Sequence, residues 1–308
     1  MSSFINNKKE KNGKKEKMEK NGKKEKMEKN GKKEKMEKNG KKEKMEKNGK
    51  KEEITEYKVN KRLLKDVIDI LKHPLISEGI YYSHDENDSY KGYAMIIGPD
   101  DTIYKYGYYF FKFTFPHDYP FSPPKAEYLT NGDNIRFNPN LYRNGKVCIS
   151  ILNTWKGEQW TSCQTIRSVL ISLLSLFHNK PLLNEPGITE KNKYFKLYNE
   201  IIEYSNYNIA INKVLKQDLL PLPFKSYWSY IKDNIIKNKN NILDQLNKLN
   251  NEYPEEIEKY CGIYNMRVKF NYKKIKIDFE DILFILEKTN TKDNKKTDNT
   301  KTDNTKSK

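Results

Sequence analysis

The sequence predicts an α+β fold, and three observations carry that expectation. Residues 57–73, YKVNKRLLKDVIDILKH, repeat apolar side chains at helical spacing. From about Gly79 to Thr130 the pattern turns aromatic and β-branched, broken by Asp-Glu-Asn-Asp-Ser and Gly-Pro-Asp-Asp turns. Helical spacing returns after Thr161. No helix-length segment separates the aromatic runs, so they suit an antiparallel meander and not parallel strands with crossovers.

Taken in order, the chain of 308 residues first shows a nine-residue repeat, KNGKKEKME, in four identical copies from Lys11 to Glu46 with a partial fifth at 47–52. Nine residues make about 2.5 helical turns, so equivalent positions rotate around a helix instead of forming a stripe. Each copy contains Asn-Gly, and only Met18, Met27, Met36 and Met45 are apolar. Such a segment cannot bury enough surface to offset its ordering entropy, so residues 1–53 are expected to be a disordered Lys-rich tail. The first helix is expected to gather Leu63, Leu64, Val67, Ile68 and Leu71 on one face, with Lys58, Lys61, Arg62 and Lys65 mostly elsewhere. Strands follow in GIYYSHDENDSYKGYAMIIGPDD and TIYKYGYYFFKFTFP. HDYPFSPPK holds Pro120, Pro123 and Pro124, which cannot lie in a central strand, so a rigid, extended loop is expected there.

Thr161–Gln164 (TSCQ) matches a capping box that opens a helix with Ile166, Val169, Leu170, Leu173 and Phe177 facing the core. Residues 190–217 read as another amphipathic helix, with Tyr194, Leu197, Tyr198 and Ile201 on one side. Beyond PLPF at 221–224 the chain reads as mainly helical, with a strand-like patch from Met266 to Ile277. The closing KTDNTKTDNTKSK reads as a second tail. The expected division is a repeat tail at 1–53, a globular domain at 54–215, a mainly helical extension at 216–287 and a disordered tail at 288–308.

A net charge of +17 invites a nucleic-acid reading until the charge is located. Residues 1–53 hold 21 lysines against 11 acids, and residues 288–308 hold seven lysines against three aspartates, which leaves +3 for residues 54–287. The basicity belongs to the tails, so no specific nucleic-acid partner is expected; the tail could add weak, salt-sensitive attraction to polyanions. Its 21 lysines are also candidates for self-modification. Three cysteines, Cys148, Cys163 and Cys261, with no CxxC pair, fit neither a disulfide framework nor a zinc site. The N-terminus lacks the apolar core of a signal peptide, and the longest greasy stretch, Val169 to Phe177, is too short to span a bilayer. A soluble protein of the cytoplasm, and also of the nucleus, is the expectation, with no membrane partner.

The most informative stretch is RFNPNLYRNGKVCISIL, from Arg136 to Leu152. Standing alone, a cysteine in an apolar run reads as a packed core thiol. The four histidines, His73, His84, His117 and His178, all lie outside the stretch, so nothing in it argues for a Cys-His hydrolase. A thiol that receives an already activated thioester needs no local base, because a few per cent is thiolate at neutral pH.

GPDDTIY with Gly107, FTFPHDYPFSPP, the Asn138–Asn140 NPN, Gly145, Cys148 and the later W-T-S-x-x-T-I-x-x-V-L-x-S-L together resemble the ubiquitin-conjugating enzymes over about residues 56–215. NTWKGEQW (153–160) and NEPG (184–187) resemble a subgroup that includes the giant BIR-repeat conjugating enzyme and the one served by the alternative ubiquitin-activating enzyme. The resemblance implies the ubiquitin-conjugating fold, a four-stranded antiparallel meander with an N-terminal helix and C-terminal helices. It implies that Cys148 takes ubiquitin or a ubiquitin-like protein as a thioester from an activating enzyme and passes it to a substrate lysine or a ligase. Asn140 matches the asparagine that orients the active-site loop and stabilises the oxyanion. Phe121 matches a residue gripped by ligases, and Thr161–Ser162–Cys163 the second ligase-contacting loop. Lys58, Lys61 and Arg62 match the region that docks on the activating enzyme. No cofactor or metal is implied, since ATP is used by the activating enzyme upstream.

Each of these assignments has a plainer competitor. Phe121 could pack beneath the proline loop, the helix charges could be an ordinary solvated face, and Cys163, Cys261, Trp155 and Trp160 read as structural. A second reading of the whole is an inactive, ubiquitin-binding scaffold of the same fold, against which the presence of both Cys148 and Asn140 speaks. The chain departs from the family pattern at Asn138, where a histidine is usual, at Tyr106, where a glycine is usual, and at Ser162, where proline is common. An Asn can hydrogen-bond neighbouring backbone and do similar structural work. The acidic residue often found past the second helix falls near Asn184–Glu185, where Glu185 could orient an attacking lysine.

Overall fold

The structure, a computed structural model, describes residues 60–217, 220 and 222–302, with side chains to Lys288 apart from that of Leu222. Lys58 and the whole repeat tail lie outside the described residues. The first helix, α1 (Lys61–Lys72), starts where Asn60 Oδ1 accepts the amide of Leu63 at 3.0 Å, an N-cap that satisfies one of the helix's free donors. Its buried positions are Leu63, Asp66, Val67 and Ile70. The expected apolar face is therefore only half right, because Leu64, Ile68 and Leu71 are exposed. Five apolar residues spread over a wider arc than the neighbouring elements cover, and Asp66 takes an inner position because Tyr119 Oη donates to it at 2.6 Å.

Four strands follow in sequence order, β1 (Ile80–His84), β2 (Lys91–Ile97), β3 (Tyr108–Thr114) and β4 (Lys125–Tyr128), each antiparallel to the next. The register pairs Ala94 with Phe111 and Phe111 with Tyr128, so these share one face; Met95 pairs with Phe110 on the other. On the first face Tyr109 and Phe111 meet Phe177, with ring centroids 4.4 and 6.5 Å away. The proline segment after β3 is not extended. It folds into consecutive turns, with Tyr119 N–H on Pro116 O at 3.1 Å and Phe121 N–H on Asp118 O at 2.8 Å, around a cis Tyr119–Pro120 bond.

The helix after the cysteine, α2 (Ile166–Leu174), is capped by Thr165 and Ser168, each side chain accepting the other's backbone N–H. The capping box thus lies four residues past the expected one. Thr161–Gln164 is a turn instead, closed by Gln164 N–H on Thr161 O at 3.0 Å. Helix α3 covers Phe195–Ser205 and continues as a π-helical segment, Asn206–Lys213, so the helix expected from 190 begins five residues later. The wider turn lets Asn206 reach inward: its Oδ1 accepts from Tyr109 Oη at 2.6 Å and its Nδ2 donates to Lys105 O at 2.8 Å. A Cβ at Gly107 would stand 1.9 Å from that Oδ1, which is why no side chain fits there.

The extension holds α4 (Trp228–Glu252), a hairpin of β5 (Ile257–Cys261) and β6 (Met266–Phe270), and α5 (Tyr272–Thr302). The strand-like patch expected at Met266–Ile277 is strand only to Phe270, where Asn271 Oδ1 accepts from Lys274 N–H at 2.9 Å at the start of α5. The tail expected from 288 is helical in its backbone to Thr302; it has no Gly or Pro, and an existing helix elongates at little cost. The extension covers the second face of the meander. Phe224 packs on Phe110 at 4.7 Å and Tyr93 at 5.6 Å, Tyr227 Oη donates to Ser83 Oγ at 2.8 Å, and Tyr108 Oη donates to Ile231 O at 3.3 Å. Both faces of β2 and β3 are consequently buried, and sheet and extension belong to one compact unit. Among the described residues no helix is long and apolar enough to cross a membrane.

Candidate active site

Cys148 sits after a tight turn. Gly145, at φ +84°, lets the chain reverse between Tyr142 and Lys146, and a Cβ there would press on Glu127 and Tyr128 at 3.1 and 3.2 Å. The reversal brings Cys148 back beside Asn140. One residue then holds both peptide groups of the cysteine: Cys148 N–H donates to Asn140 O at 2.9 Å, and Asn140 Nδ2 donates to Cys148 O at 2.6 Å. On the far side Thr154 Oγ1 accepts the amide of Ile149 and lies within hydrogen-bond reach of the carbonyls of Val147 and Ile149, all at 3.0 Å. The cysteine backbone is fixed from both directions, and Cys148 itself is 2 % exposed.

The carboxamide of Asn140 is buried, and its Oδ1 has no hydrogen-bond partner. An amide carries two N–H donors, and the bond to Cys148 O uses one of them. Asn138 answers for the missing histidine. Its Oδ1 accepts the backbone N–H of Asn140 at 2.9 Å, and its Nδ2 donates to Leu176 O at 2.9 Å. Asn138 is fully buried, so this side chain is a strut between the cysteine loop and the end of α2. Behind it Tyr104 Oη donates to Phe137 O at 2.6 Å, and burial pushes that hydroxyl's pKa far up, so it keeps the proton it donates.

Two hollows border the cysteine segment. One, of about 320 Å³, is lined by Asn140, Ile149, Trp155, Ser175 and Asn184 among others. The second, about 520 Å³, is lined by Pro124, Glu127, Lys146, Val147 and Thr154 among others. The histidine rings are engaged elsewhere where they bond: His178 Nε2 meets Asn184 Oδ1 at 3.2 Å, and His84 meets Tyr82 and Ser89. Among the described residues no cluster of three His, Cys, Asp or Glu side chains could hold a metal ion.

Among the described residues expected to meet partners, the Phe121 turn, the Thr161–Ser162 turn and Arg62 are linked by hydrogen bonds. Phe121 is 81 % exposed, so it does not pack beneath the proline loop. Trp160 is buried and its Nε1 donates to Pro120 O at 2.7 Å, which ties the Phe121 turn to the exposed Thr161–Ser162 turn. Cys163 is exposed, which corrects its reading as a structural thiol: the turn points it to solvent because α2 has not yet begun. Lys61 is exposed. Arg62 is largely spent within the fold: Nη1 donates to Ser162 O at 2.8 Å, Nη2 to Gln164 O at 2.9 Å, and Nε to Asp66 Oδ1 at 2.9 Å. The roles of Asn138, Thr154 and Arg62 in bracing the loops have no local sequence signal, since each depends on a partner brought near by the fold.

The sequence profile described as ubiquitin-conjugating enzyme matches residues 62–205. The ubiquitin-conjugating enzyme E2 of African swine fever virus is 32 % identical over 165 residues, 52 % of this chain and 72 % of that protein. The chain belongs to the ubiquitin-conjugating enzyme family. Ubiquitin-conjugating enzyme E2 Z of Homo sapiens is 44 % identical over 153 residues, 49 % of this chain and 43 % of that one. The human dual E2 ubiquitin-conjugating enzyme/E3 ubiquitin-protein ligase BIRC6 is 48 % identical over 100 residues, 30 % of this chain and 2 % of that protein. These relatives place the chain in the subgroup that NTWKGEQW and NEPG point to. The chain spans about half the length of the curated vertebrate relatives it matches, 50 % for E2 Z of Xenopus tropicalis. Family membership accounts for the matched stretch around Cys148, while everything beyond residue 205 lies past the profile.

Proposed function

We propose that this protein accepts ubiquitin or a ubiquitin-like protein as a thioester on Cys148 and passes it to a lysine or to a ligase. The observation that carries the reading is the double clamp of Asn140 on Cys148 within a chain of this family. In charging, the Cys148 thiolate attacks the thioester of an activating enzyme, a new C–S bond forms, and that enzyme's thiolate leaves. In discharge, a lysine amine attacks the same carbonyl carbon, the C–N bond forms, the C–S bond breaks, and the electron pair returns to Cys148 Sγ while one amine proton leaves to solvent. Neither step needs a base bonded to the cysteine, in keeping with the absence of a histidine bond to it among the described residues.

Asn140 keeps the loop in shape with one N–H and has a second donor for the tetrahedral oxyanion, a contribution of about 3 kcal/mol when such a donor is well aimed. The exposed Phe121 and the Thr161–Ser162 turn are proposed to meet a ligase, and Lys61 with Lys58 an activating enzyme. Arg62 supports that face from within. A reducing compartment, the cytoplasm or the nucleus, suits a working thiol.

The test is charging with activating enzyme, ATP and modifier. A DTT-sensitive adduct is expected for the natural chain, a DTT-resistant oxyester for Cys148→Ser, and none for Cys148→Ala. An adduct on Cys148→Ala, or none on the natural chain with either ubiquitin-activating enzyme, would overturn the proposal.

A further inference from the structure

The turn between β5 and β6 reaches the cysteine loop, although it is more than 110 residues further along the chain. Its tip is Tyr264, held at φ +61°, a left-handed conformation that a bulky residue adopts only when its surroundings require it. The turn is fitted closely to the catalytic domain: a Cβ at Gly262 would stand 2.7 Å from Tyr194 Oη, and Arg136 N–H meets Met266 Sδ at 3.4 Å. Its hydroxyl, carbonyl and ring are all engaged there. Its hydroxyl donates to Glu185 Oε2, its carbonyl accepts from Arg143 Nη2, and its ring lies 4.1 Å from the Arg136 guanidinium, whose other face covers Tyr142 at 3.7 Å.

We infer that Tyr264, supplied by the C-terminal extension, is a positioning residue for discharge to lysine, holding the carboxylate of Glu185 next to Asn184, a residue of the hollow that borders the cysteine segment. This rests on the function proposed above. Glu185 directly follows Asn184, which lines the cleft together with Asn140. Two arginines contact Tyr264, yet among the described residues Glu185 makes no ion pair. Tyr264 explains both facts. Its carbonyl occupies Arg143 and its ring occupies Arg136, while a neutral hydroxyl fixes Glu185 without cancelling its charge. A carboxylate so held attracts and orients an arriving ammonium; one that falls onto Arg143 does not.

The experiment follows discharge of the charged full-length chain to free lysine over a range of lysine concentrations, alongside charging by activating enzyme. Tyr264→Phe removes the hydroxyl and keeps the ring on Arg136 and the carbonyl on Arg143. It is expected to raise the KM for lysine about tenfold, the scale of a lost hydrogen bond to a charged group, with charging unchanged and the melting temperature lowered by about 3–6 °C at most. Glu185→Gln should do the same without touching the extension, and the double variant should be no worse than Glu185→Gln alone. Unchanged lysine dependence in Tyr264→Phe, additive losses in the double variant, or an equal fall in charging and discharge would overturn the inference while leaving Cys148 as the carrier. Failure of the natural chain to charge would overturn both.

Discussion

Replacing Asn140 by Ala separates what this side chain does for the fold from what it does for the reaction. The loss is the bond from Nδ2 to Cys148 O, 2.6 Å long at a site where Cys148 is 2 % exposed. A buried carbonyl left without its donor costs about 1–3 kcal/mol. The same substitution deletes Oδ1, which is buried without a partner, and so relieves a desolvation cost of about 1–3 kcal/mol. The main-chain bond from Cys148 N–H to Asn140 O survives, because alanine keeps that carbonyl. The two costs nearly cancel, so stability should change by less than about 1.5 kcal/mol, a melting shift below about 3–6 °C for a domain of this size. Discharge to lysine should fall about 10²–10³-fold if the second N–H meets the oxyanion. Charging, in which a thiolate attacks a thioester, is the easier step and should be largely spared. Thermal melts and paired charging and discharge time courses on one preparation check this. A loss above about 3 kcal/mol, or equal loss of both steps, would refute the reasoning.

Three further outcomes follow from the same structure. Asn138→Ala should cost more stability than Asn140→Ala, about 2–5 kcal/mol by urea denaturation, because it orphans both Asn140 N–H and Leu176 O in the interior; Asn138→Asp keeps the acceptor and should recover part of the loss. Tyr106→Gly relieves a left-handed residue at φ +66° but empties a site 5 % exposed; about 3–5 kcal/mol of aromatic burial outweighs about 1–3 kcal/mol of strain, so the variant should melt lower. Maleimide should label Cys163 first and Cys148 and Cys261 slowly in the folded chain. Burial pushes the Cys261 thiol up, so it carries less thiolate than an ordinary thiol at any given pH, and its labelling should rise only above the usual thiol range, read by mass spectrometry across a pH series.

The first helix and the meander were legible because each follows a local period, and Cys148 with Asn140 because eight residues separate them in a recognisable frame. What escaped the sequence depends on distant partners. YYFFKFT in β3 has no clean alternation, a sign that both faces are covered, but its second cover comes from Phe224 and Ile231, more than a hundred residues away. Strand β5, Ile257–Cys261, is mostly exposed and so carries no apolar alternation to read. Two abutting patterns, Thr161–Gln164 and Thr165–Ser168, stood four residues apart, and only the path of the chain decided that Thr165, and not Thr161, caps α2. Tyr264 showed nothing in sequence because Glu185, 79 residues upstream, gives it meaning.

The doubly covered meander also sets a timetable for making the protein. A ribosome delivers β3 before the residues that shield its outer face: Thr114 leaves the catalytic centre 117 residues ahead of Ile231. At about 5–20 residues per second, Tyr93, Tyr108 and Phe110 stand without their lid for roughly 6–23 s. During that interval the nascent chain presents a flat aromatic surface of the kind that holdase chaperones bind, and a stop codon placed near residue 215 would make the exposure permanent. Truncated chains should therefore be recovered with chaperones or in aggregates, even though every residue that the family profile matches is present.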